Sequence, residues 1–235
     1  MELLQALKKF GFTQQESLMY VTLSRHGCMT GYEAAKVAGI SRSNAYAALS
    51  SLVEKGGAVI SCEDTSKYVA TPKQELLLTL RRSCARTIDF LAEHLPEQEE
   101  GAAPYLTVSG YENTLDKMRN MLVLAQLRIY MSMHSGNVAL LREEVEDCVA
   151  RGLKVVILSD EDPAISGAQY MKNSAGSGNV KLIADTSEVI VGLVEAGRGQ
   201  CLYSRNEHLV YLMREALLNE IALIKVREGT ASGDS

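Results

Sequence analysis

A chain of 235 residues, 46% hydrophobic, can bury one large core or two smaller ones, and two is the preferred division. Its 24 Lys and Arg against 29 Asp and Glu give a formal net charge of −5, which argues against a protein that coats nucleic acid over its whole surface. The charge is uneven, because residues 1–75 carry eight basic and seven acidic side chains whereas residues 76–235 carry sixteen and twenty-two. A local contact face for phosphates is therefore easiest to build in the first part. Cys28, Cys62, Cys84, Cys148 and Cys201 stand singly with no CxxC, the usage of free thiols in a reducing cytoplasm rather than of a disulfide framework. The opening MELLQALKKF interleaves charges with leucines and reads as neither signal peptide nor membrane anchor.

In chain order, Leu3, Leu4, Leu7 and Phe10 form an apolar stripe that ends before Gly11. A helix then begins at Thr13, where Thr13 and Glu16 have capping-box spacing and Leu18, Met19, Tyr20 and Leu23 supply a buried face. The same signature recurs at Thr30 and Glu33, ahead of a short helix carrying Ala34, Ala35 and Val37. Their small side chains allow close approach by the next helix. Gly39 makes the sharp turn, Ile40 plugs the core beneath it, and Ser41 caps a third helix from about Arg42 to Lys55.

That third helix divides by face. Ala45, Ala48, Leu49, Leu52 and Val53 recur near helical spacing as a core side, leaving Ser41, Arg42, Ser43, Asn44, Tyr46, Ala47 and Ser50 as an exposed N-terminal and outer surface. In a helix-turn-helix this surface enters the major groove, where Asn44 can read adenine and Arg42 can read guanine or grip phosphate. Tyr46 has three options: packing on the following hairpin, a phosphate hydrogen bond, or a thymine methyl contact. The plain alternative is an ordinary helical hairpin with polar residues facing solvent. Residues 55–70 favour the helix-turn-helix: Lys55, Gly56 and Gly57 end the helix, 58–62 reads as a strand, 63–66 as a tight polar turn and 67–70 as a return strand. Such a wing brings Lys67 near backbone phosphates, where it positions more than it selects, although Glu63 and Asp64 make the tip acidic.

After Thr71 and Pro72, residues 73–95 favour one long helix. Leu77, Leu80, Cys84, Ile88, Leu91 and Leu95 follow steps of three and four, the spacing of a short dimerisation seam or of a helix packed on its own domain. A dimer would present two recognition helices to symmetric half-sites without an unusually basic monomer. The segment 96–104, PEQEEGAAP, reads as a flexible linker. The domains expected are thus 1–72 for DNA, 73–95 for dimerisation, 96–104 as linker, 105–228 as a regulatory α/β domain and 229–235 as a disordered tail.

Within 105–228 the expected strands are 105–108, 127–133, 153–158, 180–183, 189–194 and 201–203, with helices over 111–125, 138–150 and 207–224. The uninterrupted apolar run in KVVILSD suits a parallel strand covered on both faces. Chemistry is less visible. There is no Walker loop and no GxGxxG, the glycines of 174–180 lack the required lysine, and His26, His94, His134 and His208 belong to no HExxH. No cofactor or metal is implied, and an interaction or sensing role fits better than an enzyme. If a small-molecule effector binds here, the candidates are polar residues at strand ends: Ser109, Ser132, His134, Asp160, Asp185 and Arg205. Each has a structural alternative as a cap, a turn or an ion-pair partner.

Across nearly its whole length the chain resembles the TrmB-like family of transcriptional regulators. The resemblance is carried by LLQALKKFGFTQQESLMYVTL, AAKVAGISRSNAYAALSSLVEKGGAV and SKYVATPKQELL in the first part. In the second part it is carried by SGYENTLDKMRNMLVLAQLRIYMSM, RGLKVVILSD and SRNEHLVYLMREAL. It implies an N-terminal winged helix-turn-helix on double-stranded promoter DNA, a helical dimerisation segment and a C-terminal domain of phospholipase D-like architecture. That superfamily's catalytic HxK is absent, since the four histidines begin HGC, HLP, HSG and HLV, so the resemblance implies no enzyme. Some members bind sugar through a C-terminal extension for which little chain remains here. The function expected is a cytoplasmic, homodimeric, sequence-specific DNA-binding regulator that answers a small molecule or partner and involves no membrane. The alternatives are a winged-helix protein-interaction adaptor and a sugar-phosphate or nucleotide enzyme.

Overall fold

The computed structural model describes residues 2–62, 66–97, 105–173 and 178–231, and the chain divides into two compact units between Glu97 and Gln98. Residues 63–65 of the turn expected over 63–66, residues 98–104 of the expected linker and residues 232–235 of the expected tail lie outside the described residues.

The first unit runs α1 (Leu3–Lys8), α2 (Gln14–His26), β1 (Met29–Thr30), α3 (Gly31–Ala38), α4 (Arg42–Glu54), β2 (Ala58–Cys62), β3 (Ser66–Ala70) and α5 (Lys73–His94). Both capping boxes form. Thr13 N–H donates to Glu16 Oε2 at 2.8 Å while Glu16 N–H donates to Thr13 Oγ1 at 3.2 Å, and Thr30 and Glu33 repeat the pair at the same distances. Met19, Leu23, Ala34, Ala35, Ala45, Ala48, Leu49 and Leu52 build the core between α2, α3 and α4. The expected N-terminal stripe is narrower than its spacing suggests. Leu7 is buried, but Leu3 and Phe10 are exposed, because α1 stops at Lys8 and Phe12 fills the core beyond Gly11.

The hairpin of β2 and β3 gains a third strand that periodicity could not reveal. β1 is two residues long, and it pairs with β3 through Met29 opposite Tyr68 and Thr30 opposite Lys67, giving the antiparallel order β1-β3-β2. Thr30 thus closes the strand and caps α3 with the same residue.

A buried carboxylate ties α2 to α4. Glu16 is almost fully buried and accepts from Ser51 Oγ at 2.7 Å and from Lys55 Nζ at 2.7 Å, while Lys55 also donates to the Gly11 carbonyl at 2.8 Å. Burial alone pushes the Glu16 carboxyl up, but the Lys55 ammonium, the Thr13 N–H and the Ser51 hydroxyl outweigh it and leave it below its ordinary value. A carboxyl depressed in the folded state contributes stability above its unfolded pKa and loses it as pH falls through the lower folded value. Urea titrations should therefore show stability declining below about pH 4.5, with Glu16→Gln costing about 1–2 kcal/mol at pH 7 and flattening that decline.

The second unit runs β4 (Leu106–Ser109), α6 (Tyr111–Leu124), β5 (Arg128–Met133), α7 (Ser135–Ala139), α8 (Arg142–Ala150), β6 (Lys154–Ser159), β7 (Gln169–Lys172), β8 (Asn179–Ala184), β9 (Glu188–Glu195), β10 (Arg198–Ser204) and α9 (Glu207–Ala231). Its sheet has the order β4-β10-β9-β8-β5-β6-β7, parallel only across β5, β6 and β7. Along β6, Val155 and Ile157 enter one core with α6 and α8, while Val156 and Leu158 enter the other with Val210, Leu217 and Ile224 of α9. The apolar run of this strand thus has the cause expected of it, burial on both faces.

Two departures are not announced by the sequence pattern. The helix expected over 138–150 is broken into α7 and α8 at Leu140 and Leu141, yet Val138, Leu141, Val145 and Cys148 keep helical spacing through the break and are all fully buried. The edge strand β7 has no apolar alternation to announce it and is set by pairing with β6. The last helix also continues past 224, through Ala231, which overlaps the start of the expected tail.

Candidate nucleic-acid interface

The helix α4 of the winged unit is presented by a tight turn. Gly39 adopts a left-handed conformation, φ 68° and ψ 30°, and Ile40 N–H returns to the Ala35 carbonyl at 3.1 Å, so α3 ends in one residue and α4 can start at Arg42. Ser41 is the cap, its Oγ accepting from Asn44 N–H at 3.3 Å. Ala34 and Ala35 meet Ala45, Ala48 and Leu49 with side chains small enough for the two helices to pack closely.

Arg42, Ser43, Asn44, Tyr46, Ala47 and Ser50 are all exposed on α4, but they do not form one patch. Ser43, Ala47 and Ser50, spaced by four and three, lie opposite the buried face and form the outer ridge of the helix. Asn44 sits on the flank shared with Ser51, whose hydroxyl reaches α2 through Glu16. Arg42 and Tyr46, one turn apart, lie on the opposite flank toward the start of α3. There the Arg42 guanidinium lies 4.1 Å from the Tyr32 ring centroid. The Tyr46 ring covers Gly31 so closely that a Cβ at position 31 would fall 2.5 Å from Tyr46 Cε1. Of the three options open to Tyr46, the packing partner is the beginning of α3 rather than the hairpin.

Lys67 is half-buried in β3, opposite Thr30. Its charge acts on the Glu33 carboxylate, which is held below its ordinary range first by the Thr30 N–H and hydroxyl and also by Lys67. Lys67 therefore belongs to the foot of the wing, next to the N-terminus of α3. Tyr32 is the residue that reading the sequence missed. It stands ten positions from Arg42, across a helix and a turn, so no local spacing pairs them.

The seam residues of α5 divide in an informative way. Leu76, one position off the expected series, is buried, and Leu80 packs partly on the same core, so the first turns of α5 belong to the winged unit. From Arg81 onward every described residue of α5 is exposed, including Cys84, Ile88 at 63% and Leu91 at 44%, as are Leu95 at 64% just past its end and Leu77 before them at 47%. Phe90 stacks on His94 with centroids 4.1 Å apart.

In the second unit the effector candidates fall at two ends of the sheet. Ser109, Ser132, His134 and Asp160 are at the carboxyl ends of β4, β5 and β6, whereas Asp185 and Arg205 lie at the other end, beside the β8–β9 turn and after β10. Several already have partners. The Asp185 carboxylate accepts from the N–H groups of Gln126, Leu127 and Arg128 at 2.7, 2.7 and 2.9 Å, and it holds a turn in which Asp185 and Thr186 both have positive φ. His134 caps α7, its Nδ1 accepting from Gly136 N–H at 3.1 Å and its Nε2 lying 3.1 Å from Asp160 Oδ2, so both ring nitrogens are engaged. Asp160 also accepts from Ser135 N–H at 2.7 Å, and that N–H is the main cause of its lowered pKa.

Ser132 is buried beneath α9, 3.3 Å from Glu220 Oε2, and Glu220 is in turn ion-paired with Lys181. Arg205 donates to the Tyr203 hydroxyl at 2.9 Å, and Tyr203 donates to Glu188 at 2.6 Å. Burial, and then the Glu188 carboxylate, push that phenol up to about 12. Ser109 remains exposed at its strand end. A crevice of about 160 Å³ under α9 is lined by Tyr130, Ile183, Arg214, Leu217 and Leu218 and by none of the six candidates. That space is partly open solvent and encloses no room even for a water molecule, against about 300–1,000 Å³ for the usual ligand pocket. Among the described residues no group of three or more His, Cys, Asp or Glu could hold a metal ion, and no helix is long and apolar enough to cross a membrane.

Residues 7–74, which hold this winged arrangement, match the family model described as sugar-specific transcriptional regulator TrmB. This winged part of the chain is therefore similar to the TrmB family of transcriptional regulators. It is 25% identical over 236 residues to YrhO of Bacillus subtilis (strain 168), covering 95% of this chain and 86% of that protein. It is 32% identical over 126 residues to the HTH-type sugar sensing transcriptional regulator TrmBL1 of Pyrococcus furiosus, a match spanning 52% of this chain and only 37% of TrmBL1. Among solved structures, TrmBL2, an archaeal chromatin protein, aligns over 94% of this chain and 97% of its own with 20% identity and a TM-score of 0.47.

Proposed function

We propose that this TrmB-like protein is a transcriptional regulator that binds double-stranded DNA in a sequence-specific way as a homodimer. The observation that carries the reading is the α4 surface: a capped helix, set by a one-glycine turn against α3, with its core side fully buried and a polar outer ridge left free. A helix of this kind beside a three-stranded wing fits the major groove, with Ser41, Arg42, Ser43, Asn44, Tyr46, Ala47 and Ser50 as the contact set and Lys67 at the wing foot near phosphate. The near-neutral charge of residues 1–75 then favours two copies over one, since each alone attracts phosphate weakly.

Leu77, Cys84, Ile88, Leu91 and Leu95 would form the dimer seam, with Leu80 shared between the seam and the domain core. Residues 105 onward would act as the regulatory domain, biasing the separation or angle of the two α4 helices through α5 when a small molecule or partner binds. Ser109 and Arg205 are the exposed members of the six effector candidates, and binding at Arg205 or at the other four would have to compete with the hydrogen bonds they already make.

Selection from a random duplex pool with the full-length protein, followed by a salt titration, tests this reading. A symmetric enriched sequence whose affinity falls with salt is expected, and no enrichment under any condition would replace the regulator with the protein-interaction adaptor.

A further inference from the structure

We infer that Tyr32 is a positioning residue for DNA recognition, a shelf that holds the Arg42 guanidinium edge-on to the duplex. The inference rests on the DNA-binding reading and adds to it a residue outside the helix that reads. Tyr32 is the second residue of α3 and Arg42 the first of α4, and the Gly39 turn brings them together, with the guanidinium carbon 4.1 Å from the ring centroid. Both side chains are exposed, and no carboxylate among the described residues is within ion-pair distance of Arg42, so the tyrosine ring is the partner that orients it.

A guanidinium is planar, and its five N–H donors all point outward in that plane. When one face rests on an aromatic ring, every donor stays free, whereas an ion pair would consume two of them. The ring also removes much of the rotamer freedom that a long arginine would otherwise lose on binding. Tyr46 supports the arrangement from the same flank: its ring packs on Gly31, immediately before Tyr32, and fixes the start of α3 against α4. The acceptor that fits the presented edge is a pair of oxygen or nitrogen atoms in one plane, which guanine O6 and N7 offer in the major groove and which two phosphate oxygens also offer.

The test is a double-mutant cycle on the duplex selected by the wild-type full chain. Tyr32→Leu should weaken binding about fivefold and Tyr32→Phe, which keeps the ring, less than about twofold. In an Arg42→Ala background Tyr32→Leu should have no further effect. Replacing each G·C pair of the site in turn separates the two acceptors. If Arg42 reads guanine, one replacement costs the wild type affinity but costs Arg42→Ala nothing; if it grips phosphate, no single replacement does so. Equal affinity of Tyr32→Leu and wild type, or the same fivefold loss in the Arg42→Ala background, would overturn the inference while leaving DNA binding standing. A wild-type protein that selects no duplex would remove both. Thermal unfolding of Tyr32→Leu, a surface substitution, serves as the check that the fold is retained.

Discussion

Replacing Ala47 by Glu is expected to lower affinity for the selected duplex by about 100-fold, equivalent to about 2.7 kcal/mol, without changing the fold. Ala47 is at the centre of the outer ridge of α4, between Ser43 and Ser50, and all three are exposed. Nothing in the winged unit depends on that methyl group, and Ala→Glu costs only a few tenths of a kcal/mol in helix propensity, so thermal unfolding should be nearly unchanged. With α4 in the groove, as proposed, the same position would face base edges across a short gap. Small side chains there let the helix backbone approach, and a glutamate would bring both bulk and a charge of the same sign as the phosphates. Ala47→Ser, which adds a single oxygen, should bind within a fewfold of wild type. Fluorescence anisotropy at fixed salt measures both. If Ala47→Glu binds like wild type, α4 is not the element in the groove.

The second large effect is expected at α5. Ile88→Asp combined with Leu91→Asp should convert the protein to monomer in sedimentation and reduce operator affinity by about 100-fold, because the second half-site would no longer be engaged at the high effective concentration that a linked dimer provides. The physical case is the exposure of the helix. From Arg81 to the end of α5 no described residue is buried, and Ile88, Phe90, Leu91 and Leu95 are each between 44% and 64% exposed. This half of the helix is left with only its intrinsic propensity, whereas most helical stability in proteins comes from packing an apolar face. A second copy of α5 laid along the Leu77, Cys84, Ile88, Leu91 and Leu95 face would supply the missing burial. A double variant that still sediments as a dimer would place the interface elsewhere, and a wild-type monomer would dismiss it altogether.

Local chemistry made much of the winged unit readable in advance. Thr13 with Glu16 and Thr30 with Glu33 are short-range pairs whose hydrogen bonds are decided within four residues, so both helix starts could be placed from the letters alone. Gly39 is legible for the same reason: a left-handed residue between two helical runs favours glycine. The buried side of α4 follows from spacing, because Ala45, Ala48, Leu49 and Leu52 can share a core only if the segment is helical. The β6 run was legible as a strand covered on both faces because its burial leaves no polar alternation.

The remainder depends on partners distant in sequence. β1 exists because β3 offers it hydrogen bonds, and two residues carry no period. The break between α7 and α8 leaves the buried spacing untouched, so no pattern marks it. Leu76 rather than Leu77 enters the core because the direction of α5 as it leaves Thr71 and Pro72 decides which side meets the domain. The polar candidates of the second unit show the limit most plainly: Asp185 is a strand-end carboxylate by sequence and a turn clamp on three backbone N–H groups by structure.

The sequence by itself determined most of the helices and strands, β1, β7 and the break between α7 and α8 excepted, and it also determined which side of α4 is buried and which family the winged unit resembles, because these follow from side chains within a turn or two of one another. Only the tertiary structure decided that Arg42 rests on Tyr32, that Asn44 and Arg42 lie on opposite flanks of α4, and that the far half of α5 is left uncovered. Those are contacts, or missing contacts, between surfaces that the chain brings together only after its cores have formed.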